Sequence, residues 1–515
     1  MNRTLTLGLS IAAAATLALS TSACTTSQGG GGGTVSGDTV RLSLLTDVAN
    51  FDPIKGASAG DYVFNRLLFS SLVALDENNV VVPRLATSWD VGTTGGTLTL
   101  KKGLTCSDGS PLTAAQVAAS LDRYRSQGTA TGQVFGPDNA GDKTTITADD
   151  NAGTIAIKLT NPWGELLTGL AHQSTSIVCK SGLAAPDALG LGNVDGAGTG
   201  PYTLTKNERG TAYELALRPG FDAYPRYKSL PAGEPVKTMQ IGIVKNESSL
   251  ANQLHTGQAD FGAFTGPDAA RFTDGYTVVK SPYVRFFLMF NQRPGLPGAD
   301  PAFRRAVAQA VDAQAFGKVF GGGAAPIASY VEPAVSCANK DTALLVPNNL
   351  DAAKAQLGGK SIRVVGSNAV AQGAGNTYVA EALRVGGADV KLNNADNATL
   401  FGSVLTSGEW DVYITPSITG SLLIGAQLFS GAQPPAGRNY GAVNNPEFVR
   451  GYGAAVRTVD PTAKCDSWAS AQKSLLNAVD TVPLSTVDVH YVFRNGISAS
   501  APQGNFDPAT MRITG

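Results

Sequence analysis

Gly198-Thr199-Gly200-Pro201-Tyr202-Thr203-Leu204 is the stretch on which the reading of this 515-residue chain turns. Two glycines one residue apart permit positive φ, and Pro201 then holds φ near −65°. The segment reads as a rigid corner that Tyr202 to Leu204 leave as a strand. Just downstream, Ala212 to Arg218 (AYELALR) is a second strand, placed to pair with the first as a meander. Upstream, Pro162-Trp163 and Ile177 to Leu183 lead the chain into the corner.

Further upstream, Val40 to Thr46 reads as a strand and Asn50-Phe51-Asp52-Pro53 as a turn. Asp61 to Leu75 reads as a helix ending in a short strand. Pro83 to Trp89 (PRLATSW) reads as a Pro-started turn of helix that buries Leu85 and Trp89. Thr97 to Lys101 and Thr154 to Leu159 alternate as strands. Thr113-Ala114-Ala115-Gln116 has the spacing of a capping box, with Val117, Leu121 and Tyr124 on one face of the helix and Gly128 at its end.

Downstream, Thr238 to Val244 is a central-strand candidate, and Ser248 is placed to cap a helix closed by Gly257. Arg285 to Asn291 (RFFLMFN) is almost wholly apolar and reads as a strand buried on both faces. Asp300-Pro301 starts a helix whose stripe is Phe303, Val307, Ala310 and Val311. Ile362 to Val365, Val390 to Leu392 and Val412 to Thr415 are short strands between helical stretches, an α/β pattern. Asn445-Pro446 starts a helix with Phe448, Tyr452, Ala455, Val456 and Val459 on one face. Asp466 starts the next, and Val489 to Phe493 is a returning strand.

Several of these stretches resemble, in order, one family. GTGPYTL, PRLATSW, Ser107 to Tyr124 (SDGSPLTAAQVAASLDRY), Gln258-Ala259-Asp260-Phe261, Phe303 to Phe316 and Asn445 to Leu484 are similar to segments of the extracytoplasmic solute-binding proteins of ABC importers, family 5, the peptide, dipeptide and nickel-binding type. The resemblance implies an α/β, two-lobed periplasmic-binding-protein-like fold of class II type, hinged by a double crossing. It implies a first lobe from residues 38–60, 195–284 and 486–515, a subdomain inserted at 61–194, and a second lobe at 285–485.

The N-terminus reads as an address. Arg3 supplies a positive region and Leu5 to Leu19 an apolar one, too short for a comfortable membrane span. Thr21-Ser22-Ala23-Cys24 resembles a lipoprotein signal, with Cys24 lipidated, although Thr21 stands where leucine is usual. Residues 25–37 (TTSQGGGGGTVSG) read as a flexible tether with an r.m.s. span of roughly 20 Å. The expected location is the outer face of the cytoplasmic membrane.

Cys106, Cys179, Cys337 and Cys465 remain, an even number that suggests disulfides in an exported domain. Three pairings are open. The family architecture favours Cys106–Cys179 and Cys337–Cys465, because each pair then falls within one lobe. Cys106 also replaces an aromatic usual before the Ser107-Asp108-Gly109 turn.

Net charge is −1, with no basic stripe, so nucleic-acid binding is not expected. The three histidines, His172, His255 and His490, are far apart, and no HExxH, GxSxG, complete Walker A or dinucleotide fingerprint occurs. Gly359-Lys360-Ser361 leads into a strand, whereas a phosphate loop opens a helix. No catalytic activity, cofactor or metal is expected.

The resemblance implies a monomeric carrier that captures a small peptide or other small solute and delivers it to ABC permease and ATPase subunits. Its candidate ligand residues are Asn50, Phe51, Asn291, Thr415, Ser417, Thr419, Arg438, Asn439 and Tyr440. Peptide binders of the family typically carry an aspartate in the loop after the Val412–Thr415 strand, where it pairs with the peptide's amino group. Here residues 416–424 contain no acid. Either another acid serves, with Asp52 and Asp411 as candidates, or the ligand lacks a free amine there. A metal chelate, a sugar or an opine-like molecule is the alternative ligand, and a surface sensor or scaffold the alternative role.

Overall fold

The computed structural model describes residues 34–515 except 36, 57, 129, 130, 321–325 and 419. Cys24, the signal segment, most of the tether and Thr419 therefore lie outside the described residues.

In chain order the elements used below are β1 (Thr39–Leu44), α1 (Ala59–Leu68), β2 (Ala86–Gly92), β3 (Gly95–Leu100), α2 (Ala114–Gln127), β4 (Thr144–Asp149) and β5 (Thr154–Leu159). They continue with β6 (Tyr202–Glu208), β7 (Ala212–Leu217), β8 (Thr238–Ile243), α3 (Glu247–His255), β9 (Phe261–Phe264), β10 (Tyr276–Phe290) and α4 (Pro301–Ala310). The last are β11 (Ser361–Ser367), α5 (Ala374–Val385), β12 (Asp389–Ala395), β13 (Val412–Ser417), α6 (Pro446–Ala455), α7 (Pro461–Asn477) and β14 (Thr481–Arg494).

The expected two-lobed α/β architecture is present. Ten strands run in the order β12-β11-β13-β10-β14-β9-β1-β8-β7-β6, and β2-β3-β5-β4 form a separate four-stranded sheet. The two long strands β10 and β14 join the halves of the large sheet. They pair antiparallel from Tyr276 opposite Arg494 to Met289 opposite Thr481, with irregularities at Pro282/Val284 and Phe286/Phe287.

The apolar run of β10 is buried on both faces. Phe286, Leu288 and Phe290 enter one core, with Phe316, Val364 and Ile414. Phe287 and Met289 enter the other, with Tyr330, Tyr413 and Phe429. Each such side chain contributes about 2 kcal/mol by leaving water, which fixes the register of this strand.

The Gly198–Leu204 corner forms, but for a different reason than expected. Neither Gly198 nor Gly200 has positive φ. They are glycines because the end of α1 lies against them: a Cβ on Gly200 would stand 2.4 Å from the Leu67 carbonyl oxygen. The Leu68 carbonyl accepts from the N–H of Thr199 (3.1 Å) and Gly200 (2.9 Å). Thr199 Oγ1 donates to the Ile177 carbonyl (2.6 Å), and Arg218 Nη1 donates to the Gly200 carbonyl (2.7 Å). The corner is thus a junction of four chain segments.

Other boundaries differ locally. Pro83 to Trp89 is not helical: residues 86–92 are β2, because hairpin pairing with β3 (Trp89 opposite Leu98) outweighs the Pro-start signal. Leu85 is buried but Trp89 only half so. Asn246, not Ser248, caps α3, accepting from the Ser249 N–H. Asp460, not Asp466, caps α7, with Pro461 in the first turn. Val459 lies beyond the end of α6 and is exposed. Of the capping box at α2 only half forms, since Gln116 Nε2 donates to the Pro111 carbonyl instead. Both favoured disulfides, Cys106–Cys179 and Cys337–Cys465, are present.

Candidate functional site

β13 and β10 build one wall. Arg285, Phe287 and Met289 lie opposite Ser417, Thr415 and Tyr413 in antiparallel register. Side chains directly opposite share a face of the sheet, so these six point the same way. At the loop end, Arg285 pairs with Glu332, both almost completely buried. A Cβ on Gly420 would lie 3.6 Å from Glu332 Oε1 and 3.7 Å from Gln503 Oε1, so the loop after β13 closes over this pair. Burial raises the Glu332 carboxyl above the usual range, and Arg285 opposes the shift.

The segment carrying Glu332 is pinned from behind. Ser329 Oγ donates to Gln472 Oε1 (2.7 Å), Gln472 Nε2 donates to the Cys337 carbonyl (2.9 Å), and Cys337 is bonded to Cys465 of α7. Tyr330 hydroxyl donates to the Leu422 carbonyl (3.1 Å).

The facing wall comes from α1 and residues 172–173. Tyr62 and Arg66 are four apart on one helix and share a face. Ser58 and Asp61 form a capping box there, and Asp61 Oδ1 also accepts from the N–H of Ala49 (2.7 Å) and Asn50 (3.1 Å). Burial raises the Tyr62 phenol, as does Asp61; Arg438, Arg66 and a hydrogen bond from Gln173 work against this. His172 is pushed down to about 4, chiefly by burial and then by Arg66. Its Nδ1 accepts from the Ser174 N–H (3.2 Å), which leaves the ring proton on Nε2.

Arg438 acts on both walls. It lowers the phenol of Tyr62 on one side and that of Tyr413 on the other, where burial is the main, raising cause and Tyr440 adds to it. Phe401 packs on Tyr440 with ring centroids 6.1 Å apart. Around this set the two parts of the chain touch directly. Gln133 Nε2 donates to Gln427 Oε1 (3.1 Å), the Gly164 N–H to the Val456 carbonyl (2.6 Å), and Lys464 Nζ to Glu165 Oε1 (2.8 Å).

The acids named from the sequence are engaged elsewhere. Asp52 is fully buried and paired with Arg123. Asp411 accepts from the Arg363 N–H, Nε and Nη2. A third acid, Asp507, which the sequence reading did not single out, accepts from the Tyr227 hydroxyl (3.2 Å) and the Ala509 N–H (3.1 Å). Neither Arg66 nor Arg438 forms an ion pair among the described residues, and Arg66 Nη1 donates to the Phe506 carbonyl.

The sequence-named candidates divide. Thr415, Ser417, Arg438 and Tyr440 come together here. Asn291 is fully buried, donating to the carbonyls of Gly408 and Trp410 (both 2.9 Å) and accepting from Arg293. Asn439 ties its own loop through Val443. Asn50 accepts from the Asp52 N–H (2.9 Å), and Phe51 is a core ring packed edge-on against Phe64 and Tyr213. Tyr62, Arg66, Gln173, Tyr413 and the Arg285–Glu332 pair were not named from the sequence. Arg285 alone carried a signal, as a charge opening a strand with no other polar side chain before Asn291.

No three His, Cys, Asp or Glu side chains gather to hold a metal among the described residues. A cavity of about 300 Å³ lies elsewhere, among Val311, Leu345, Val346, Leu476, Val482 and Leu484. What these residues offer is phenols, amides, hydroxyls and cationic guanidiniums around a closed ion pair, a set suited to holding a small polar solute by hydrogen bonds.

Residues 80–423 match the family model described as bacterial extracellular solute-binding proteins, family 5 Middle. A substrate-binding protein of Microbacterium hydrocarbonoxydans, whose crystal structure is complexed with 4-hydroxybenzoate hydrazide, is 34% identical; the match covers 93% of this chain and 100% of that one, with a TM-score of 0.80. Protein XP55 of Streptomyces lividans is 28% identical over 295 residues, 55% of this chain and 50% of that protein. The glutathione-binding protein GsiB of Salmonella typhimurium is 26% identical over 310 residues, 57% of this chain and 56% of that protein. The chain thus spans about half the length of the curated relatives it matches. In the described residues no helix is long and apolar enough to cross a membrane.

Proposed function

The chain belongs to the bacterial extracellular solute-binding proteins of family 5, and on that premise we propose that it captures a small peptide-like solute between its lobes and delivers it to an ABC permease. One observation carries the reading: Tyr62, Arg66 and Gln173 on one side and Thr415, Ser417 and Tyr440 on the other, with Arg438 near enough to lower the phenols of both Tyr62 and Tyr413. Groups of this kind, converging from two lobes, hold a solute by a few oriented polar contacts. Domain closure then couples binding to docking on the permease. In this reading the carrier works as a monomer, the ATPase subunits supply the energy, and lipid on Cys24 keeps it at the outer face of the membrane.

The division into lobes follows the strands. Residues 38–60, 195–284 and 486–515 form the first lobe, 61–194 the inserted subdomain with its own sheet, and 285–485 the second lobe. The pairing of β10 with β14 supports two crossings.

Relatives bind compounds built around acyl-nitrogen bonds: glutathione in one, 4-hydroxybenzoate hydrazide in another. A solute of that size and polarity is the expected cargo. The test is mass spectrometry of whatever is released when protein purified from its own membranes is denatured, together with uptake in a deletion strain. A small amide-bearing compound whose uptake falls on deletion is the expected result. Unchanged uptake of that compound would instead point to a sensor.

A further inference from the structure

Gly164 is a glycine for a reason that lies in a distant part of the chain. Its φ is not positive, so alanine would suit its own backbone. A Cβ there would nevertheless stand 2.3 Å from the Thr458 carbonyl oxygen, 2.9 Å from the Thr458 carbonyl carbon and 3.3 Å from the Thr458 nitrogen, its three nearest atoms. Gly164 follows β5, in the part of the chain assigned above to the subdomain, whereas Thr458 lies in the loop between α6 and α7. The two surfaces meet backbone to backbone, with the Gly164 N–H donating to the Val456 carbonyl (2.6 Å). Lys464 completes the contact. Its Nζ donates to the Gly164 carbonyl (3.2 Å) and to Glu165 Oε1 (2.8 Å). The Glu165 and Lys464 side chains are only 10% and 20% exposed, so water screens this pair in part. The neighbouring Arg457–Asp138 pair, at 3.7 Å and more than half exposed on both sides, adds little. Lys464 also stands in the first turn of α7, where the helix dipole disfavours a cation, and Glu165 compensates from outside the helix.

The next residue, Cys465, is bonded to Cys337, which fixes this end of α7 to the segment carrying Glu332. From here α7 runs 17 residues, about 25 Å, toward β14, the strand that pairs with β10. The contact thus sits at the far end of a lever. A rotation of about 10° at the β14 end carries the Lys464 end through up to about 4 Å, enough to part all of these hydrogen bonds. Resting on the solute-capture reading and the lobe division above, we propose that Gly164, Glu165, Val456, Thr458 and Lys464 form a latch that holds the subdomain to the second lobe and sets how often the cleft opens. Every bond in it joins the chain's own groups, so it adds to closure independently of what the solute contributes.

Small-angle scattering and single-amide hydrogen exchange on the purified full chain, with no solute added, test the proposal. Gly164→Ala and Lys464→Met are each expected to enlarge the radius of gyration and to speed exchange of the residue-164 amide about tenfold or more. The Gly169 amide, bonded to the Glu165 carbonyl (2.8 Å) within its own helical turn, is expected to keep its rate, which separates unlatching from local unfolding. Lys464→Met adds no atom at the interface and keeps the test open if Gly164→Ala does not fold. Glu165→Lys alone is expected to expand the molecule, and Glu165→Lys combined with Lys464→Glu to restore compaction. An unchanged radius in the folded single variants would overturn the proposal, because the subdomain would then travel with the second lobe. Exchange that quickens at Gly169 as much as at residue 164 would overturn it as well. Uptake in a deletion strain tests capture separately: uptake that falls on deletion, with no expansion in the variants, removes the latch and leaves capture standing.

Discussion

Asp411 is held by Arg363 through three hydrogen bonds, from the backbone N–H (2.8 Å), Nε (3.1 Å) and Nη2 (2.8 Å), and its own N–H returns one to the Arg363 carbonyl (2.9 Å). Arg41 and Asp260 repeat the arrangement in the other half of the sheet, at 2.9, 2.9 and 2.7 Å, with the Asp260 N–H on the Arg41 carbonyl at 2.8 Å. In both places a glycine with positive φ, Gly408 or Gly257, stands three residues before the aspartate. Each clamp locks the entry of a strand, β13 or β9, to its parallel neighbour. Asp411→Asn keeps the shape but loses charge-assisted bonds, so a stability loss of about 1–3 kcal/mol is expected in urea unfolding. Solute affinity should not change by more than about twofold, because this acid faces Arg363 and not the cleft; a tenfold fall would contradict that assignment.

Acidification should loosen the fold through His172. Its folded-state value, about 4, lies below the ordinary 6.5 because burial and Arg66 disfavour the charged ring. The unfolded chain therefore binds the proton more readily between those values. Stability from this group is complete above pH 6.5 and is lost as pH falls toward 4, by about 2–3 kcal/mol at most. Melting temperatures of wild type and His172→Gln, followed from pH 7.5 to 4.5, should converge as the pH falls; parallel curves would exclude His172 as the cause.

Gly200→Ala places a methyl 2.4 Å from the Leu67 carbonyl oxygen and 2.6 Å from the Phe69 nitrogen. Backbone atoms cannot rotate away as a side-chain tip can, so α1 must shift. The expected loss is about 1–3 kcal/mol, visible as a lower urea midpoint with an unchanged m-value. A similar loss from Gly200→Ala in a chain already lacking the Arg218 bond to the Gly200 carbonyl would show that the methyl clash acts independently of that bond.

Replacing Cys337 and Cys465 together by serine opens a loop of 128 residues and frees the segment that carries Glu332. A cost of about 2–4 kcal/mol is expected. Differential scanning calorimetry should show it, and hydrogen exchange should rise over residues 327–339 before it rises in the large sheet. Uniform exchange across both would mean that the bridge holds no particular segment.

Much of the scaffold was legible because local physics repeats what the fold requires. RFFLMFN has no polar side chain between Arg285 and Asn291, so only a strand covered on both faces suits it. Asp300-Pro301 and Asn445-Pro446 start helices through side chains that reach their own first turn. PRLATSW shows the limit: its Pro-start signal lost to pairing with a strand that a local window does not weigh. The cleft was harder. Arg438 comes within electrostatic reach of Tyr62 only through the tertiary fold, and no spacing in the chain announces it. Phe51 sits in the turn after the first strand, just as a ligand-stacking ring would, yet Phe64 and Tyr213 cover it. Asn291 and Asn439 are polar residues at strand and loop ends that bond their own backbone, a use that looks the same in sequence as an offered amide.

The long pairing of β10 with β14 has a consequence for how such a molecule diverges. The joint between the halves of the large sheet is a ladder of main-chain rungs, from Tyr276 with Arg494 to Met289 with Thr481. Its stiffness resides in peptide groups that every residue except proline supplies alike. Side chains outside the buried apolar run of β10 can be exchanged without altering the rungs. On the proposed reading, articulation and selectivity would be inherited on separate coordinates: drift at positions such as Thr415 or Arg438 would retune what is held, while the leaf spring beneath keeps its bend.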